Sequence, residues 1–118
     1  MKTQSIILAI VFVCSGLFTN AQTAATKSEK IKVWGNCGMC QKHIEKAAKE
    51  AGASKAAWNK DTHILTVKYD AAKTSNKQIQ EAVAKAGYDT KDLTGNDLAY
   101  EKLDECCKYD RKASEKKQ

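Results

Sequence analysis

The sequence predicts an α+β fold: a small antiparallel sheet, two helices on one of its faces, and an additional C-terminal helix. Three observations predict it. Residues 30–34 and 63–69 alternate polar and apolar side chains, the period of a half-buried strand. Residues 40–51 and 75–86 carry apolar side chains at helical spacing, and each run stops at a glycine, Gly52 and Gly87. A third helical pattern begins at Asn96 or Asp97, beyond the second of those runs.

The elements follow in order. Lys30-Ile31-Lys32-Val33-Trp34 is the first strand, and Gly35 to Met39 is a loop rich in glycine with one asparagine. From Cys40 to Ala51 strong helix formers place Ile44, Ala47, Ala48 and Ala51 on one face. Ala53 to Asn59 reads as a short strand with Ala53, Ala56 and Trp58 inward, a spacing that requires a shift in register. Lys60-Asp61-Thr62 is a turn, and His63 to Tyr69 turns Leu65, Val67 and Tyr69 to one side. Ser75-Asn76-Lys77-Gln78 is a capping box that opens a helix carrying Ile79, Val83 and Ala86. A last strand is expected near Tyr88 to Leu93. Strand, helix, strand, strand, helix, strand is the split βαβ order of a ferredoxin-like sandwich. The additional helix runs to about Arg111, with Ala99, Leu103 and Cys106 as its apolar stripe and Leu98 and Cys107 beside it.

The start of the chain belongs to none of these layers. Met1-Lys2 is followed by a mostly apolar run from Ile6 to Phe18 and by Thr19-Asn20-Ala21. That run is shorter than the roughly 20 residues a membrane-spanning helix needs, and the pattern is that of a cleaved signal peptide over residues 1–21. The expectation is an exported, periplasmic protein with no stable membrane insertion after cleavage. Residues 22–28 read as a flexible lead, 29–93 as one domain, 94–111 as the C-terminal helix and 112–118 as a charged tail. A chain of 118 residues with net charge +6 has room for a single domain. An exported chain with no nucleic-acid recognition motif is not expected to bind nucleic acid.

Cysteine placement carries the chemistry. Removal of the leader takes Cys14 with it and leaves Cys37, Cys40, Cys106 and Cys107. Two tight pairs make poor disulfide staples, since each would close almost no loop, although a bridge between the pairs stays open. The motif Cys37-Gly38-Met39-Cys40 alone fits a redox pair, half a zinc site or a soft-metal site. Its place at the start of the first helix narrows the choice. Free N–H groups and the helix dipole there lower a thiol's pKa, and the thiolate is the metal ligand. Thiolates prefer soft ions, with Cu(I) foremost and Zn(II) or Hg(II) as alternatives.

The set of residues resembles the heavy-metal-associated domain family, which includes copper chaperones, the metal-binding modules of copper-transporting ATPases and the periplasmic mercuric-ion-binding protein. The resemblance rests on Cys37-x-x-Cys40 followed by His43-Ile44-Glu45-Lys46-Ala47, on Leu65-Thr66-Val67-Lys68-Tyr69-Asp70, and on Ile79-x-x-Ala82-Val83-x-x-Ala86-Gly87-Tyr88. It covers about Glu29 to Leu93. It implies a ferredoxin-like fold, metal held by Cys37 and Cys40, and a shielding role for Tyr88 beside the metal loop. The chain departs from the family where Trp34 and Gly35 occupy the positions of its usual Gly-Met.

Other residues have more than one reading. Cys106 and Cys107 either complete a site of three or four sulfurs, or pack with Cys106 inward, or form a disulfide. Met39 faces solvent, packs or binds metal weakly. His43, three residues after Cys40, is a third ligand, a pH-sensitive neighbour or a solvated surface group; His63 is expected to be exposed, and Trp34 and Trp58 to pack in the core or at its rim. Lysines 42, 46, 49, 73, 77 and 85 lie largely on polar helix faces, which serves solubility or docking onto an acidic-faced metal transporter or efflux component. An enzyme is not expected. A thiol-disulfide oxidoreductase is the competing reading, but thioredoxin-like sites place a cis-proline beside the disulfide and this chain has no proline. A disulfide-stabilised structural or interaction module is the third.

Overall fold

The computed structural model describes residues 25–112. The signal peptide assigned to residues 1–21 and all but the first residue of the charged tail lie outside the described residues. In chain order the elements are β1 (Thr26–Lys32), α1 (Gly38–Glu50), β2 (Ala53–Asn59), β3 (Ile64–Asp70), α2 (Asn76–Lys85), the short α3 (Asp97–Glu101) and a 3₁₀ turn (Glu105–Cys107).

The strands form one antiparallel sheet in the order β1-β3-β2, with Leu65 opposite both Ile31 and Trp58. The register shift expected in β2 lies between Ala53 and Lys55. Ile31, Val33, Trp58, Leu65, Val67 and Tyr69 of the sheet side are buried with Ile44, Ala47 and Ala48 of α1 and Ile79 and Val83 of α2. Burying these apolar faces against one another is the main driving force for the fold. Ser75 caps α2 as its sequence signature requires, accepting the Gln78 N–H at 3.1 Å. Gly87, with φ +106°, ends the segment after α2; a side chain there would meet the Tyr100 backbone nitrogen at 2.9 Å. Among the described residues no helix is long and apolar enough to cross a membrane.

The fold class is that predicted, and three boundaries differ. First, the closing strand shrinks to a single bridge between Val33 and Thr90. The Trp34 N–H donates to the Asp89 carbonyl and the Lys91 N–H to the Lys32 carbonyl, both at 2.9 Å, so residues 89–91 do lie antiparallel beside the β1 edge. They cannot extend further, because the Thr90 N–H turns back onto the Leu93 carbonyl and the Asp92 N–H onto the buried Gln80 side chain. Second, residues 26–28 of the lead assigned to 22–28 belong to β1, which starts at Thr26, opposite Asp70; residues 22–24 lie outside the described residues. β3 runs to Asp70 and offers backbone groups there, and pairing them outweighs the polar character of the segment.

Third, the additional helix is present but does not reach Arg111. It stops at Glu101, and the chain folds back through the 3₁₀ turn. Tyr100 and Tyr109 explain the break. Their rings meet edge to face with centroids 5.1 Å apart, and the Tyr100 hydroxyl donates to the Tyr109 carbonyl at 2.8 Å. In a continuous helix residues nine apart would be separated by about 13 Å along the axis. Packing of the two tyrosines is therefore incompatible with one long helix.

Candidate metal centre

Cys37 is the N-cap of α1, with extended backbone at φ −146° and ψ −179°, and its neutral thiol makes no capping hydrogen bond. The thiolate is a different matter. The Cys40 N–H at the helix start favours it most; burial opposes it, and the Met39 N–H and the Cys40 and Cys106 thiols add to the stabilisation, bringing the pKa down to about 7. The first turn of α1 carries no acidic side chain to oppose that charge. Cys40, one turn further on, is fully buried. Its Sγ lies 3.8 Å from Cys37 Sγ and donates to Asn36 Oδ1 at 3.3 Å.

The 3₁₀ turn brings the second cysteine pair to the same place. Cys107 is buried, and its Sγ lies with those of Cys37 and Cys40 in a group whose atoms are all within 4.8 Å of one another. Burial, and next the neighbouring Cys40, push its thiol above the ordinary range. Cys106 is exposed, with its Sγ 3.9 Å from Cys107 Sγ and 3.8 Å from Met39 Sδ. Of the three readings of this pair, the one that packs Cys106 inward on a helical stripe does not hold: the helix that would have placed it there is broken. All four described cysteines are free thiols.

A tyrosine scaffold fixes the turn. The Tyr109 hydroxyl donates to the Gly87 carbonyl at 2.7 Å and accepts the Asp89 N–H at 2.8 Å. Its ring stacks on Tyr88 with centroids 5.5 Å apart. Arg111 completes the attachment through Asp89, at 2.7 Å. Tyr88 is fully buried against the sulfurs, where the resemblance puts its counterpart. Desolvation, followed by the charges that Cys40 and Cys107 would carry, pushes its hydroxyl well above the usual phenol range. That hydroxyl lies 2.9 Å from His43 Nδ1. His43 is thus half-buried and engaged with Tyr88, outside the sulfur group. His63 is half-buried too, because a left-handed turn at φ 63° stacks its ring on Trp58 with centroids 5.8 Å apart. Trp58 lies in the core, its Nε1–H donating to the Val33 carbonyl at 3.0 Å and its backbone N–H to Glu45 at 2.8 Å. The half-buried Trp34 sits at the rim beneath the ammonium groups of Lys32 and Lys112.

Of the four cysteines that the sequence singles out, the structure brings Cys37, Cys40 and Cys107 together and leaves Cys106 outside that group. The sequence did not single out Tyr109 and Arg111. Their only signal is a high density of aromatic and charged residues after Asn96, which reads equally well as a solvated helix.

The heavy-metal-associated domain family matches residues 36–89, so Cys106 and Cys107 lie beyond the matched segment. No curated protein sequence matches the chain. Among solved structures, the CopZ metallochaperone is 30% identical with a TM-score of 0.52 over 54% of this chain and 98% of its own. Oxidized MerP from Ralstonia metallidurans is 33% identical with a TM-score of 0.54, over 57% of this chain and 96% of its own. The N-terminal domain of a potential copper-translocating P-type ATPase from Bacillus subtilis, in the Cu(I)-loaded state, is 32% identical with a TM-score of 0.53, over 62% and 94%. With the fold, the CxxC loop and these likenesses in agreement, the chain belongs to the heavy-metal-associated domain family.

Proposed function

We propose that this is an exported, periplasmic protein that binds Cu(I) as cargo through Cys37, Cys40 and Cys107 and performs no catalysis. The convergence of the three Sγ atoms within 4.8 Å carries the reading. At a metal–thiolate bond of about 2.3 Å, three sulfurs around one ion stand about 4 Å apart. The Cys37–Cys40 separation of 3.8 Å is close to that spacing. Three soft ligands in a largely apolar, buried setting favour Cu(I), and Hg(II) by the same chemistry, over Zn(II), which takes four ligands in closed sites. The likeness to the Cu(I)-loaded ATPase domain supports the copper assignment.

The third thiol bears on what the protein does with the ion. Two cysteines on a loop leave a bound ion open to attack by a partner's thiols. Buried Cys107 closes one side, so this chain holds its cargo more tightly than the loop alone would. Release then calls for a partner that loosens the C-terminal turn. Exposed Lys42, Lys46 and Lys49 on α1 would attract an acidic-faced transporter or efflux component to that side of the molecule. The charged start and apolar run of residues 1–21 support export.

The test is an anaerobic Cu(I) titration of the reduced protein against a competing chelator, with the wild type beside Cys107→Ser. The variant is expected to bind at least about tenfold more weakly, a loss of about 1.4 kcal/mol. X-ray absorption should count three sulfurs in the wild type and two in the variant. Equal affinity and equal sulfur count would remove Cys107 from the site, and absence of binding in the wild type would end the copper reading.

A further inference from the structure

We infer that Cys106 and Met39, with Cys107 as the bridging thiolate, form a second Cu(I) position outward of the three-thiol centre, so that the chain takes up two ions. The inference rests on the copper reading above. Cys106 does not belong to the inner group, which holds Cys37, Cys40 and Cys107 alone among the described residues. It points elsewhere: its Sγ contacts Met39 Sδ at 3.8 Å and Cys107 Sγ at 3.9 Å. Met39 and Cys106 are 67 residues apart in sequence and come from opposite walls of the site, the first turn of α1 and the 3₁₀ turn. Met39 is 42% exposed, one of two large apolar side chains left out of the core among the described residues. A thioether at the surface beside an exposed thiol is a soft-ligand pair accessible to an incoming ion.

The distances suit a metal. With metal–sulfur bonds of about 2.3 Å, sulfurs 3.8–3.9 Å apart subtend about 110–116° at the ion, between tetrahedral and trigonal angles. The Cys107 thiolate has lone pairs enough to bind an inner and an outer ion together. The 3₁₀ turn that carries Cys106 is closed by the Cys107 N–H donating to the Asp104 carbonyl at 2.8 Å, a bond that metal uptake by the thiols leaves intact. As the outer Cu(I) binds, the Cys106 thiol releases its proton to solvent and no electron moves. One terminal thiolate, one shared thiolate and one neutral thioether make a weaker set than three thiolates. The inner position therefore fills first.

Native mass spectrometry tests this on the reduced mature chain, titrated anaerobically with the Cu(I)–acetonitrile complex, for wild type, Met39→Leu, Cys106→Ser and Cys107→Ser. Both outer side chains are exposed, so their substitution leaves the core intact, and circular dichroism verifies it. Two ions per monomer are expected in the wild type. The second should be lost in Cys106→Ser and bound about tenfold more weakly in Met39→Leu, while both keep the first. Saturation of the wild type at one ion, survival of the second in Cys106→Ser, or a second ion found only in dimers would each overturn the outer position and leave the three-thiol reading standing. Failure of the wild type to hold any ion would overturn both.

Discussion

Asp89 and Arg111 form a two-pronged ion pair, Nη2 to Oδ1 at 2.7 Å and Nε to Oδ2 at 3.3 Å, that fastens the C-terminal segment to the domain. The Asp89 side chain is 1% exposed and the Arg111 side chain 19%. Asp89 also accepts the N–H groups of Gly95 and Lys112, at 2.7 and 2.8 Å, so every direction around it is used. The pair lies next to Tyr88 in sequence and next to Tyr109 in space. Together with the Tyr109 hydroxyl bonds to Gly87 and Asp89, it fastens the segment that carries Cys107.

Arg111→Ala should destabilise the protein by about 3 kcal/mol, because it strands a buried carboxylate without its counter-charge. Replacing both partners, Arg111→Ala with Asp89→Asn, should cost less than the sum of the single changes, since no charge is then left buried. Urea unfolding of the four proteins completes the cycle. Additive effects would mean that the pair carries no coupling and that the tyrosines and the Lys112 bonds to the Thr90 and Leu93 carbonyls hold the segment.

The same pair sets an acid limit. Burial, the largest single influence, raises the Asp89 pKa, but the Arg111 guanidinium and the Gly95 and Lys112 amides together outweigh it, leaving the group below its ordinary 3.8. A folded-state pKa below the unfolded value means that the unfolded chain binds the proton more readily. The stabilisation is thus complete above about pH 4 to 5 and disappears as pH falls through the folded pKa. Stability measured from pH 6 to pH 2 should fall more steeply in the wild type than in Asp89→Asn. Parallel curves would place the acid sensitivity elsewhere, for example at Glu29, whose carboxylate Tyr69 and Asn76 also stabilise.

Alternation and helical spacing revealed the layered core because they report burial, and burial decides these elements: Leu65, Val67 and Tyr69 lie inward as read, as do Ile44, Ala47 and Ala48. The cysteine loop was legible because the chemistry needs that spacing at a helix start. What escaped was set by contacts distant in sequence. The stripe Ala99, Leu103, Cys106 is a sound helical pattern, but Tyr100 and Tyr109 gain more by packing on each other and on Tyr88 than the segment gains by staying helical. Gly95 gave no sign of its role either; a side chain there would meet the Tyr88 backbone at 2.7 Å, so only glycine lets the two segments close.

Thr74 is buried, and its hydroxyl has no hydrogen-bond partner among the described residues. An unsatisfied buried hydroxyl carries its desolvation cost with nothing returned. Thr74→Val keeps the shape that packs against Gly52 and removes that cost, so it should stabilise the protein by about 1 kcal/mol. The denaturation midpoint should rise with an unchanged slope. A loss of stability would show that the hydroxyl is satisfied in solution.

Tyr88→Phe tests whether the tyrosine does more than fill space. The buried Tyr88 hydroxyl lies 2.9 Å from His43 Nδ1 and beside the sulfurs; with Cys107 as a thiolate it would donate toward sulfur and accept from the Nδ1–H tautomer of His43. A hydrogen bond to a charged acceptor is worth about 1.5–3 kcal/mol, whereas a neutral one contributes about 1 kcal/mol. Removing the hydroxyl should therefore weaken Cu(I) binding by about tenfold or more while lowering stability by no more than about 1 kcal/mol. His43→Ala should produce a smaller effect in the same direction, because the hydroxyl then loses its orienting partner and not its bond to sulfur. If Tyr88→Phe binds Cu(I) as tightly as the wild type and remains folded, the ring alone shields the thiols and the hydroxyl serves only His43.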